Sequence, residues 1–341
     1  MAGTEKVTSL EVAKRAGVSQ SAVSRVFTPG ASASKRTVEK VRKAAAELGY
    51  RPNVLARSLI TGKSRIIGLV VAYLDNYFYP TMVEKLSVAL QARGYHVLVF
   101  MAAPTVDDVE GVVQEILDYQ VDGLVLASVS LSSVLAGQCA QLGLPVVLFN
   151  RDQDDQRLSS VTTDNVAGGR AIAEHLLAAG HRSFGYIAGF EGASTQRDRE
   201  LGFRSALAAA GCEVTFREVG DFNMDRARDA TRRMFAGPDR PGALFVCNDH
   251  MAFATMDVLR HDLGLRIPQD VAVAGFDDVP IAAWPAYDLT TYRQPINAMI
   301  DETVTSLMDR IEGDTTDPRR IRLDGRLVVR GSTRNTNGDA T

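Results

Sequence analysis

A chain of 341 residues points to about two domains, and its 45% hydrophobic and 23% charged residues exclude wholesale disorder, collagen and coiled coil. No run nears the roughly 18 apolar residues of a membrane span, no apolar secretory segment opens the chain, and Cys139, Cys212 and Cys247 are too few and too scattered for a disulfide framework or metal motif, so a reduced cytoplasm is expected. The net charge of −3 hides an asymmetry: residues 1–65 hold thirteen Lys and Arg against four acids, +9, while the remainder stands at −12, which suggests a basic head for a polyanion on a body with other work.

Thr8 with Glu11 three residues on forms a capping box, opening a helix over Ser9–Ala16 that Gly17 stops. Ser19 caps a second helix through about Phe27, so the pair reads as a helix-turn-helix. Val12, Ala13, Ala16, Val18, Val23 and Val26 make its small core and leave Gln20, Ser21, Ala22 and Arg25 on the open side. A third, amphipathic helix runs from near Ser34 to Gly49, with Val38, Val41, Ala44, Ala45 and Leu48 inward and Lys35, Arg36, Lys40, Arg42 and Lys43 outward. Asn53, after Pro52, can cap one or two further turns through Leu59, too short to persist alone in water.

From Ile66 onward, apolar strands alternate with amphipathic helices. The strands read as Ile66–Ala72, Val97–Met101, Gly123–Ala127, Val146–Phe149, Phe184–Ala188, Ala243–Cys247, Val271–Phe276 and a short Thr290–Tyr292. Such continuous apolar runs suit parallel sheets covered on both faces. The pattern restarts near Thr163, so two α/β lobes are expected rather than one sheet. Polar and aromatic residues gather where open α/β sheets bind ligands, after the carboxyl ends of strands: Asp75-Asn76-Tyr77-Phe78, Asn150-Arg151-Asp152, Asn248-Asp249 and Asp277-Asp278.

The stretch VTSLEVAKRAGVSQSAVSRVF, followed by AAAELGYRPNVLARSL, resembles the head and hinge of the LacI (lactose-repressor) family of bacterial transcription regulators, and the likeness continues over roughly residues 7–332. The resemblance implies a recognition helix in the major groove, with Gln20 and Ser21 at the positions that set operator sequence and Ala22 beside them. Arg25 would reach a guanine or a phosphate. Thr8, Ser19, Ser24, Asn53 and Ala56 complete the DNA-contacting set, with Lys35 and Arg36 as further backbone clamps. Leu59 falls where the family's hinge helix wedges a leucine into the minor groove; linker packing is the alternative.

The body resembles type-I periplasmic sugar-binding proteins, the fold of the family's effector domain. The resemblance places Arg199, Asn248 and Asp277 on the effector, with Asp75, Phe78, Asn150, Phe222 and Gln294 at other pocket positions. Such a set suits a polyol, acids and amides taking hydroxyls and a ring covering the C–H face. Alternatives stand beside it. Asp277 and Asn248 would also serve as helix caps, as Asp249 is expected to; Arg199 could pair with Asp198, Glu200 or a lobe-interface acid; Phe78 and Phe222 could be core. Arg197 with Arg199 would welcome a carboxylate or phosphate and Asp75 would oppose one, which leaves sugar and sugar acid open.

Nucleotide, nucleophile-elbow and zinc-protease motifs are absent, and the five histidines form no ligand-spaced pair, so neither cofactor nor catalysis is expected. The reading is an all-α helix-turn-helix head (1–52), a hinge helix and linker (53–64), and an α/β type-I periplasmic-binding-protein-like body of two doubly wound lobes (65–332). The first lobe takes about 65–162 and 293–320, the second about 163–292 and 321–332. A sequence-specific regulator, a repressor with an inducing sugar or sugar acid, would bind a pseudo-palindromic operator in double-stranded DNA, without a membrane. It would act as a homodimer joined through the helix at Thr81–Arg93 and its counterpart in the second lobe. The polar tail, with 333–341 expected disordered, argues against a tetramer. The alternative is a sugar-binding or sugar-processing protein of the same fold without operator control.

Overall fold

The computed structural model describes residues 7–28, 31–51, 62–102, 106–129, 131–313 and 317–333. It divides at Arg65 into a head and a body, each described by itself.

In the head, Thr8 and Glu11 close the expected capping box, the Glu11 amide donating to the Thr8 hydroxyl at 3.4 Å and the Thr8 amide to the Glu11 carboxylate at 2.7 Å. These bonds hold the Glu11 carboxyl below its usual range. Helix α1 (Ser9–Ala16) ends on Gly17 at φ 64°, a left-handed turn suited to glycine. Ser19 caps α2 (Gln20–Phe27) and Ser34 caps α3 (Lys35–Leu48). Val12, Ala13, Ala16, Val23, Val41, Ala44 and Ala45 form the core, flanked by Val7, Val18, Val26, Phe27, Leu48 and Tyr50. So small a core suits close helix crossings: most of its buried side chains are Ala or Val. Asn53, Ala56 and Leu59, with the expected hinge helix, lie outside the described residues.

The body holds two six-stranded sheets. The first carries β1 (Ile66–Val71), β2 (His96–Met101), β3 (Gly123–Ala127), β4 (Val146–Phe149) and β5 (Ser159–Thr163), alternating with α4 (Phe78–Gln91), α5 (Val106–Asp118) and α6 (Ser133–Gln141). The second carries β6 (Phe184–Ala188), β7 (Val214–Val219), β8 (Ala243–Val246), β9 (Ala272–Asp277) and β10 (Thr290–Arg293). Its helices are α7 (Asn165–Ala178), α8 (Ser194–Ala209), α9 (Met224–Met234) and α10 (Asp249–Asp257). The chain then returns through α11 (Ile296–Ile311) and β11 (Arg320–Leu323) to the first sheet and ends with β12 (Arg326–Val328) in the second.

The strand orders are β11-β5-β4-β3-β1-β2 and β12-β10-β9-β8-β6-β7, every pairing parallel except β12 on β10. Both are doubly wound, and the order reverses beside β1 and β6, where crevices open at the strands' carboxyl ends. The chain changes sheet between 163 and 184, between 293 and 320, and between 323 and 326, the last a few residues past the expected 320.

Differences from the expected elements have local causes. Helix α4 starts at Phe78, earlier than the expected Thr81, because the Asn76 side chain accepts from the Phe78 amide at 3.1 Å and Pro80 is tolerated in a first turn. Strand β5, SSVTT, carries no apolar run, while β7 and β11 alternate half-buried and exposed side chains as edge strands do. Thr333, expected to open a disordered tail, is buried and bonded to Thr290 at 2.7 Å and His175 at 2.8 Å; residues 334–341 lie outside the described residues.

Candidate functional site: a polar cleft and an exposed helix

Eleven side chains converge on one cleft between the two sheets: Tyr73, Asn76, Tyr79, Ser128, Asn150 and Arg151 from the first lobe, and Thr195, Arg199, Phe222, Asn248 and Asp277 from the second. All stand at or just past the carboxyl end of a strand or sit in the helix that succeeds it. Four of them, Ser128, Asn150, Phe222 and Asp277, hold positive φ angles of 58°, 64°, 55° and 130°, an uncommon backbone for side-chain-bearing residues that clusters at functional sites. The space between the side chains is only about 10 Å³, about one water. A ligand larger than a water molecule would therefore enter only when the lobes part.

On the second lobe, Arg199 is the organising group. Its guanidinium donates to the Asn165 side-chain oxygen at 2.9 Å and the Cys247 backbone carbonyl at 2.7 Å, lies 3.6 Å from the Asp277 carboxylate and stacks 3.7 Å above the Phe276 ring. Its place depends on glycine: a Cβ on Gly169 of α7 would stand 2.1 Å from the Arg199 carbonyl oxygen, and one on Gly202 of α8 would stand 2.0 Å from that of Val166. The two helices touch backbone to backbone there. Burial raises the Asp277 carboxyl above its ordinary value, opposed by the Arg199 charge and the Gln294 amide, which donates at 2.7 Å.

Asn248 caps a helix and lines the cleft at once. Its carbonyl oxygen accepts from the Met251 amide at 3.0 Å, capping α10, and the residue still lines the cleft. Asp249 is not the expected cap: fully buried, it accepts from the Thr291 hydroxyl at 2.6 Å and the Val279 amide at 3.0 Å. Burial, and then the Asp277 charge, push its carboxyl well up.

On the first lobe, the Asn150 amide donates to the Tyr79 hydroxyl at 3.2 Å and the Ser128 hydroxyl at 3.3 Å, leaving its carbonyl oxygen buried without a partner. Burial raises the Tyr79 and Tyr73 hydroxyls, so both stay protonated donors. Tyr73 meets Phe222 edge-on across the cleft at 6.1 Å.

Of the eight expected effector residues, Asn150, Arg199, Phe222, Asn248 and Asp277 line this cleft, and Asp75, Phe78 and Gln294 do not. Asp75 is 69% exposed and faces the buried His250 at 3.6 Å. Phe78 is core, stacked on Phe149 at 6.3 Å. Gln294 joins Asp277 to the Thr163 hydroxyl at 2.6 Å, tying both lobes together at a crossover. Phe78 and Gln294 border a neighbouring, mainly apolar cavity of about 270 Å³ that shares Asp277 with the cleft. Among the residues not foreseen, Arg151 and Asn76 stood in the strand-end clusters already read, whereas Tyr73, Tyr79, Ser128 and Thr195 carried no signal beyond their place after a strand.

In the head, Gln20, Ser21, Ser24 and Arg25 are exposed along α2 and Ala22 is half-buried. The Ser19 hydroxyl accepts from the Ala22 amide at 3.3 Å and contacts the Ser21 hydroxyl at 2.9 Å. Gln20 donates to the Ser9 hydroxyl at 2.9 Å, which fixes its stem across the helix pair. Arg15 is held by Glu47 at 2.7 Å, while Arg25, Lys35 and Arg36 make no ion pair among the described residues. Such a row of short polar side chains and one free guanidinium on an exposed helix suits the major groove.

Two family models match the chain: "Bacterial regulatory proteins, lacI family" over residues 9–53 and "Periplasmic binding protein-like domain" over 173–333. The "HTH-type transcriptional regulator CelR" of Thermobifida fusca is 34% identical over 330 residues, spanning 94% of this chain and 96% of that protein. A solved "transcriptional regulator CelR-cellobiose complex" superposes with a TM-score of 0.72, covering 96% of this chain and all of that one at 34% identity. The Lac repressor dimer bound to operator and an anti-inducer reaches a TM-score of 0.86 at 27% identity, over 97% of this chain and 100% of that one. No helix among the described residues is long and apolar enough to cross a membrane.

Proposed function

Because the chain belongs to the lacI family of bacterial regulatory proteins, we propose that it is a transcriptional repressor whose grip on an operator is set by a sugar-class effector held between its lobes. The observation that carries this reading is the pairing of an exposed, capped α2 with a buried polar cleft at the strand ends of a two-lobed body. Gln20, Ser21 and Ala22 at the start of α2 reach base edges, with Arg25 one turn on at a base or a phosphate; Thr8, Ser19 and Ser24 position the head on the backbone. Asn53, Ala56 and Leu59 are assigned to a hinge that inserts in the minor groove. In the cleft, Asn150, Asn248 and Asp277 take hydroxyls, Arg199 an oxygen-rich edge, and Phe222 a C–H face.

The protein is read as a homodimer on a two-fold operator, since two half-sites about one turn apart call for two heads. Control follows from linkage. An effector that prefers one lobe arrangement shifts operator affinity only by its differential affinity for the two, typically about 1–3 kcal/mol. The solved relatives agree with each half of this reading: one is bound to operator, the other to cellobiose. A catalytic role for the body is not part of it, the named relatives being regulators.

The test is a fluorescence-anisotropy titration of the purified protein against labelled promoter DNA, with and without sugars. Tight, salt-sensitive, sequence-dependent binding that a sugar weakens is expected. A chain lacking the first 60 residues that still binds the same DNA would refute the assignment of the head.

A further inference from the structure

The cleft contains a cation that no carboxylate among the described residues balances. Arg151 is only 3% exposed, its Nε–H has no hydrogen-bond partner, and it makes no ion pair among the described residues. Its surroundings are the Tyr73 hydroxyl and the Phe190 ring, 6.0 Å away. The one carboxylate lining the cleft, Asp277, already faces Arg199. The other nearby acids are engaged elsewhere or solvated: Asp152 is paired with Arg320 and Arg322, Asp198 with Arg197 and Asp221 with Arg226, while Asp75 is 69% exposed to solvent. Arg197 is itself 67% exposed and turned from the cleft. Sequence reading had set Arg197 and Arg199 against Asp75; the structure replaces that balance with Arg151 and Arg199 against Asp277 alone.

A buried guanidinium without a counterion is costly, and its planar fork matches a carboxylate or phosphate. From this we infer that the effector is an anionic sugar, a sugar acid or sugar phosphate, whose acid group is received by Arg151. The inference rests on the sugar-responsive reading above and narrows its ligand. It also gives closure a driving force. Arg151 comes from the first lobe and Arg199 from the second, and both face one narrow cleft, so without a ligand their like charges oppose closing. An anion between them turns that repulsion into attraction, while hydroxyls on the same ligand meet the unpartnered Asn150 carbonyl oxygen.

The test is calorimetric titration of the full-length protein with matched series: glucose, glucuronate and glucose 6-phosphate, and galactose, galacturonate and galactose 6-phosphate. At least one acid is expected to bind more tightly than its neutral parent, with an advantage that shrinks in high salt. In Arg151→Gln and Arg151→Met that acid loses about tenfold to hundredfold in affinity, the usual worth of a hydrogen bond to a charged group, and the neutral parent loses distinctly less, so that the acid's advantage over it disappears. Circular dichroism and thermal midpoints confirm that both variants fold. Neutral sugars binding as tightly as their acids, or acids binding both variants unchanged, overturn the anionic ligand and leave a sugar-responsive regulator standing. No binding by any of the six compounds, with operator binding equally indifferent to them, overturns both readings.

Discussion

Replacing Arg199 with Met tests the centre of the second lobe. Met keeps the length of the stem and a soft contact on the Phe276 ring, so the substitution removes charge and donors more than volume. It strips the Asn165 oxygen and the Cys247 carbonyl of donors at 2.9 and 2.7 Å and leaves Asp277 without its cation at 3.6 Å. Removing one partner of a buried pair costs about 3–5 kcal/mol, but a carboxyl already raised by burial can take up a proton and recover part of that. A net loss of about 3 kcal/mol is expected, or about 6–12 °C in the thermal midpoint of a body this large.

The pH dependence fixes the cause. Asp277 has a raised folded value, so its contribution to stability is full below the ordinary carboxylate range and is lost as pH rises through that value. Without Arg199 the value climbs further, and the gap between variant and parent should widen from pH 5 to pH 8. Adding Asp277→Asn should flatten that widening and cost less than the sum of the two single changes. Urea denaturation across the pH range reads both effects. A gap independent of pH, with additive single changes, would refute the pairing as the reason for Arg199's burial.

Gly169→Ala should destabilise the body by about 1–3 kcal/mol from overpacking, even though alanine favours a helix interior by about 1 kcal/mol. The new Cβ must move α8 away from α7 and Arg199 with it, so effector affinity should fall as well; a more stable protein in urea denaturation would show that the helices part freely. Arg25→Ala should weaken operator binding. A phosphate contact predicts a salt slope lower by about 0.9, and a base contact predicts lost discrimination at one base pair; unchanged slope and selectivity together would remove Arg25 from the interface. Asp277→Ala should spare operator binding but blunt the response to effector in the anisotropy assay, and an unaltered effector titration would discredit the cleft.

The head was legible in the sequence because its determinants are local. Thr8, Glu11, Gly17, Ser19, Ser34 and Gly49 each act within a turn of the chain, and the structure places every cap where the residue types put it. The strands of continuous apolar residues were equally plain, since burial on both faces demands such runs. Strands β5, β7 and β11 were not, because β5 is buried with polar side chains and the other two lie on or next to sheet edges, where alternate side chains meet solvent.

What the sequence by itself determined was the parts: a basic helical head, a body of two parallel α/β lobes, and polar clusters after the strands. What only the tertiary structure decided was which of those polar residues share a space. Asp75 and Arg197 sit in the right stretches but turn outward, whereas Arg151, from the first lobe, faces Arg199 and Asp277, from the second, across one cleft. The reason is physical: capping and burial periodicity act over a few residues, while the charge balance of a cleft depends on side chains from dozens to more than a hundred residues apart, brought together only when the chain crosses between its two sheets.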